Sequence, residues 1–159
     1  MRILGLDYGD KTIGVSISDP LQVNAFGLEV IFRDNPNSFK KSIRRLREII
    51  NEYNVTKIVL GFPKKMDNTL GRRCEITIAF KERLNRNFKN IEVVLYDERL
   101  TTVMSIRSLK GAMPKDKIDK VIDKIAAIHI LQGYLDRENK LIDRENKLRD
   151  ASNKTNLEV

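Results

Sequence analysis

The apolar positions of this chain change rhythm along its length, and each rhythm predicts an element. In "RILGLDYG", Ile3, Leu4 and Leu6 form a nearly continuous apolar run, which predicts a strand covered on both faces. In "TIGVSISD", Ile13, Val15 and Ile17 alternate with Thr12, Gly14, Ser16 and Ser18, which predicts a second, half-buried strand. Gly9 and Asp10 supply the bend between them, so the chain opens on a β-hairpin, which Pro20 ends. "AFGLEVIFR" reads as a third strand.

The period then lengthens. Phe39, Ile43, Leu46, Ile50 and Tyr53 make one stripe of a 3.6-residue repeat, which predicts a helix through "NPNSFKKSIRRLREIINEYN". Lys40, Lys41, Arg44, Arg45 and Arg47 lie off that stripe, as a solvated face or as a phosphate-contact surface. "KIVLGF", bounded by Gly61 and Pro63, reads as a buried strand. A polar loop, "KKMDNTLGRR", leads into a helix over about 70–87 with Phe80, Leu84 and Phe88 on one face. "IEVVLYDER" is the last strand, and 101–109 a short helix. Ile118, Val121, Ile122, Ile125, Ile128, Leu131 and Leu135 give the final helix a broad apolar surface.

The order β-β-β-α-β-α-β-α-α implies an α/β domain over residues 1–135, a mixed sheet with helices on its faces. Two copies of a seven-residue unit follow, "DRENKLI" and "DRENKLR". Two heptads fall short of a coiled coil. Residues 136–159 are therefore expected to form a charged helical extension, its last ten residues disordered.

At 159 residues, 41% hydrophobic and 33% charged, the chain suits one soluble domain. Its net charge is +8. From Asp136 onward six Lys/Arg balance six Asp/Glu, so the excess lies in the folded part and favours a nucleic-acid partner. No apolar stretch approaches the ~20 residues of a membrane span, so no membrane partner is expected. No leader peptide is evident. Cys74 is the only cysteine, which excludes an internal disulfide and a cysteine-rich zinc site. A reducing, cytoplasmic location is expected.

Three carboxylates stand where charge is costly. Asp7 ends an apolar strand, where an acid needs a partner or a cation unless it bonds the backbone of the following turn. Glu98 follows the run Ile91, Val93, Val94 and Leu95; alternation points it away from Asp97, which could instead cap the next helix. Asp123 shares a helical face with Ala126, Ala127 and Ile130, whose small residues permit close approach to a sheet; a solvated charge beside Lys120 and Lys124 is the alternative. Converging, the three would be a hard oxygen-ligand set suited to Mg²⁺ or Mn²⁺. Two such ions, about 3.5–4 Å apart, activate water and stabilise a leaving oxygen in phosphodiester cleavage. His129 lies about 240° around the helix from Asp123 and faces elsewhere.

"GLDYGDKTIGVSISDP", "VLGFPKKMDNTLG", "YDERLTT" and "IDKIAAIHILQGYL", in this order and spacing, resemble the YqgF/RuvX family. Its members are described as pre-16S rRNA nucleases and as Holliday junction resolvases. The resemblance covers about residues 2–135. It implies an RNase H-like fold: a five-stranded mixed sheet, the first three strands antiparallel, flanked by helices. It implies a metal-dependent nuclease acting on structured RNA or branched DNA, with Asp7, Glu98 and Asp123 as catalytic and metal-holding acids. Lys11, Arg99 and Thr101 are the expected substrate contacts. Resolving branched DNA by two symmetric cuts would call for a homodimer, whereas trimming an rRNA end would not.

The chain departs from many RNase H-like enzymes in one respect. Its second acid follows the fifth strand, not the fourth, so Glu98 must reach across roughly 10 Å if two strand spacings separate it from the first. Two further readings are a nucleic-acid binding module without catalysis and an ATP-binding lobe of the actin and sugar-kinase type. The acids argue against the first, and the length, enough for one lobe only, against the second.

Overall fold

The structure is a computed structural model that describes residues 1–64, 70–100, 103–109 and 115–157, without the side chains of Met104 and of residues 115–119. Strands β1 (Arg2–Tyr8), β2 (Thr12–Ser18) and β3 (Ala25–Phe32) form an antiparallel meander. Strands β4 (Val55–Phe62) and β5 (Glu92–Asp97) then add in parallel on the other side of β1. The sheet order is β3-β2-β1-β4-β5, with β1 at the centre. Helices α1 (Lys40–Tyr53) and α2 (Arg72–Asn87) precede β4 and β5. A 3-10 turn (Glu98–Leu100), a short helix α3 (Val103–Ser108) and the long helix α4 (Lys115–Leu157) complete the chain.

Alternation along β1 divides the core. Leu4, Leu6 and Tyr8 join the cluster with Leu46 of α1 and Phe80 and Leu84 of α2. Ile3 joins the opposite cluster with Ala126, Ile130 and Leu131 of α4. By the same period Asp7 belongs to the α4 face. The stripe expected on α1 holds: Ile43, Leu46 and Ile50 are buried, and Asn54 ends the helix in the left-handed conformation that Asn tolerates.

The expectation of a half-buried β2 is corrected. Every residue from Ile13 to Ser18 is buried, because α4 lies across the face that carries Gly14, Ser16 and Ser18. Those residues are there because they are small and their hydroxyls find partners. Ser16 donates to the carbonyl of Ala127 (2.6 Å), and Ser18 accepts the N–H of Ile3 (2.8 Å).

Gly14 sets how close α4 comes. A Cβ on it would fall 2.1 Å from the carbonyl oxygen of Asp123, a backbone atom that cannot move aside alone. Gly14→Ala is therefore expected to cost about 3 kcal/mol, the upper end of overpacking penalties. Urea denaturation checks this; an unchanged midpoint would mean that the helix does not lean on that glycine.

Helix α4 runs 43 residues, about 65 Å, with no break at the end of the core. Residues 150–157, expected to be disordered, continue it. The segment after Gly133 contains neither Gly nor Pro, and Asp136/Lys140, Asp143/Lys147 and Glu145/Arg149 are acid-before-base pairs at i,i+4. Among the described residues, no helix is long and apolar enough to cross a membrane.

Candidate active site

The carboxylates meet α3 and α4 where the parallel strands end. Asp7 is the penultimate residue of β1 and is 5% exposed. Glu98 begins the 3-10 turn after β5 and is 2% exposed. Strand β5 is two places from β1, with β4 between, so the long reach expected of Glu98 is real. Gly61 of β4 leaves the lane open: a Cβ there would lie 2.7 Å from Glu98 Oε1.

Arg107 of α3 joins the two acids. Its Nη2 donates to Asp7 Oδ1 and, at 2.9 Å, to Glu98 Oε1; its Nη1 donates to Glu98 Oε2. The planar fork of a guanidinium suits this bidentate hold. Burial pushes the Glu98 carboxyl above its ordinary pKa; Arg107 pulls it down and Asp7 raises it further. Burial also works against the charge on Arg107, but Asp7 and Glu98 outweigh it and hold the guanidinium above its ordinary value. Two buried carboxylates thus already share one positive charge.

Asp123, 5% exposed on α4, accepts a hydrogen bond from the Thr12 hydroxyl. Its main chain lies over Gly14, the residue paired with Asp7 across β1 and β2. The structure therefore brings Asp7 and Glu98 onto one cation, the Arg107 guanidinium, and sets Asp123 of α4 over the neighbouring strand β2. Among the described residues, no three Asp, Glu, His or Cys side chains are arranged as a ready metal site.

The expected substrate contacts are spread more widely. Lys11 is exposed in the β1–β2 turn. Arg99 is turned onto Asp97: its N–H and Nε each donate to Asp97 Oδ1 at 3.0 Å, and Nη2 donates to Oδ2 at 2.7 Å. These bonds hold the Asp97 carboxyl below its ordinary pKa. Asp97 thus caps the 3-10 turn while its neighbour Glu98 points into the protein, as alternation predicts. Thr101 lies outside the described residues. His129 is exposed.

Sequence reasoning missed Arg107 and Thr12. The available signal was indirect. Two acids at one sheet end demand a counter-charge, but a basic residue nine positions after Glu98 and one hundred after Asp7 looks like any surface arginine.

A five-stranded mixed sheet, three antiparallel strands first, with helices on both faces and acids at the strand ends, defines an RNase H-like α/β protein. The chain is similar in fold to the structure titled "Thermus thermophilus RuvC structure", with a TM-score of 0.51 at 14% identity over 87% of this chain and 97% of that one. It belongs to the family described as "RuvX: Holliday junction resolvase", which matches residues 1–137. It is 49% identical over 137 residues to a protein of Agathobacter rectalis named "Putative pre-16S rRNA nuclease", covering 86% of this chain and 95% of that one. A Bacillus subtilis protein of the same name is 48% identical over 140 residues, 87% of this chain and 100% of its own length.

Proposed function

We propose that this protein hydrolyses phosphodiester bonds in nucleic acid, and that its substrate is the precursor of 16S ribosomal RNA. The observation that carries the reading is the pair of buried acids, Asp7 and Glu98, drawn onto one positive charge at the end of the central strand. The substrate follows from near-50% identity, over almost their whole length, to relatives named for that reaction.

The donors suit a hard divalent cation. They are carboxylate oxygens, and a guanidinium already stands between two of them, so the geometry accepts positive charge. Asp7 and Glu98 would hold Mg²⁺ or Mn²⁺ directly, with Asp123 reaching it through water, since Mg²⁺ keeps several waters. Bound there, the cation would supply an activated water and neutralise charge on the phosphate.

The chain's own residues do the rest. Thr12 fixes the Asp123 carboxylate. The Ala126 and Ala127 face lets α4 press that acid against the sheet. Glu98 is kept from solvent, which raises its carboxyl pKa, and positive charge beside it works against that rise. Lys11 and Arg99, flanking the strand ends, are placed in this reading to meet phosphates. A cytoplasmic location accords with this substrate.

Branched DNA is the second reading, favoured by the family's description as a resolvase. It requires a homodimer that presents two sites. The wild-type protein with Mg²⁺ or Mn²⁺ is expected to cut a 16S precursor and to leave a four-way junction intact, scored on one gel. Cutting of the junction alone would transfer the assignment to DNA; cutting of neither would overturn the nuclease reading.

A further inference from the structure

On the sheet face opposite Asp7, a long cleft runs between α1 and α2 and on past their C-terminal ends to Met1, Val55, Thr56 and Ile91. It consists of two cavities of about 520 and 590 Å³ that share Arg47 and Asn87. Lys40, Arg44, Arg47, Arg83 and Lys89 line it, and no Asp or Glu does. All five are exposed, and none forms an ion pair among the described residues. Their neighbours on α1 behave differently. Lys41 pairs with Asp34, and Arg45 bridges Glu29 and Glu48. The helix thus neutralises its cations outside the cleft and leaves those inside it uncompensated. Unbalanced like charge raises the free energy of the folded state and concentrates a polyanion at the surface.

The cleft is also shaped for a strand. Lys40, Arg44 and Arg47 stand at i, i+4 and i+7, a row about 10 Å long on one helix face. The guanidinium groups of Arg47 and Arg83 lie 5.0 Å over the rings of Phe88 and Phe39, which holds their planes in place. Asn37, Asn51 and Asn90 add neutral donors and acceptors to the walls. The upper end adjoins the candidate active site through the sheet. Tyr8, next to Asp7, points to this face and stacks at 6.4 Å from Phe39 and 4.1 Å from Phe80.

We infer that the cleft between α1 and α2 anchors a single nucleic-acid strand by its phosphates, at a site separate from the carboxylates. A strand engaged at Asp7 can turn around the end of the sheet and continue along this row. The inference deepens the nuclease reading by giving the substrate a second foothold, and it rests on that reading only for the identity of the strand.

The test is fluorescence anisotropy of labelled single-stranded RNA and DNA of equal length, in EDTA, across a salt series. Lys40→Gln/Arg44→Gln is expected to weaken binding about tenfold at low salt and to flatten the log–log salt slope by about 1.4, or 0.7 per lost contact. Neither side chain has a hydrogen bond or ion pair among the described residues, so the fold is expected to persist by circular dichroism. Lys147→Gln/Arg149→Gln, the same charge change on the exposed part of α4, is expected to leave the slope unchanged. A drop with RNA, with DNA or with both supports the anchor, and a drop with one alone identifies the sugar. An unchanged slope in the cleft variant, an equal drop in the α4 variant, or binding of duplex alone overturns it. Cleavage is not expected in EDTA, so anchoring without turnover under Mg²⁺ sinks only the catalytic reading. Turnover with an unaltered cleft slope sinks only this inference.

Discussion

Asp7→Asn is expected to reduce phosphodiester cleavage by about 10³-fold or more while the protein stays folded. The size follows from losing one preorganised group at the reacting centre, which costs 10²–10³ or more where groups act as a unit. The substitution is nearly isosteric. The amide oxygen can still accept from Arg107, whose two bonds to Glu98 remain. What disappears is one negative charge from a pair that lies almost wholly out of water. Single-turnover rates on a 16S precursor, beside thermal melts, separate chemistry from folding. Full cleavage by a folded Asp7→Asn variant would remove β1 from the reaction.

Arg107→Met is expected to destabilise the metal-free protein by about 3–5 kcal/mol, the cost of leaving buried charges without their partner. For a chain of this size, that corresponds to a fall in Tm of roughly 6–20 °C. The methionine keeps the length of the apolar stem but removes the charge that Asp7 and Glu98 share. Addition of Mn²⁺ is expected to return much of the loss, because a dication can stand where the guanidinium stood. Calorimetric melts with and without the ion check both halves. A variant as stable as wild type without metal would mean that the acids do not depend on Arg107. A deficit untouched by Mn²⁺ would mean that their shared position does not accept a dication.

Much of the architecture was legible because it rests on local pattern. The alternation of Ile13, Val15 and Ile17, the bend at Gly9 and the stripe from Phe39 to Tyr53 each follow from backbone period and side-chain polarity. The position of Asp7 was informative for a physical reason: a charge at the end of a buried run is costly and needs compensation. Other features misled because period alone cannot distinguish small from solvated. Gly14, Ser16 and Ser18 read as an outer face and proved to be the track on which α4 lies. The end of α4 read as polar and unstructured, yet residues 150–157, with Ser152, Asn153, Thr155 and Asn156 among them, continue the helix begun upstream.

The sequence alone determined the strand and helix order, the mixed character of the sheet and the three acids worth watching, since those depend on neighbours a few residues away. Only the tertiary structure decided what the acids meet. Gly61 opens a lane across β4 for Glu98, Arg107 meets both acids from a helix one hundred residues beyond Asp7, and Thr12 claims Asp123. The tertiary structure likewise separated the cations of α1 into those in ion pairs outside the cleft and those within it that form none among the described residues. Electrostatic partners are selected by distance in space, which chain packing sets and residue spacing does not encode.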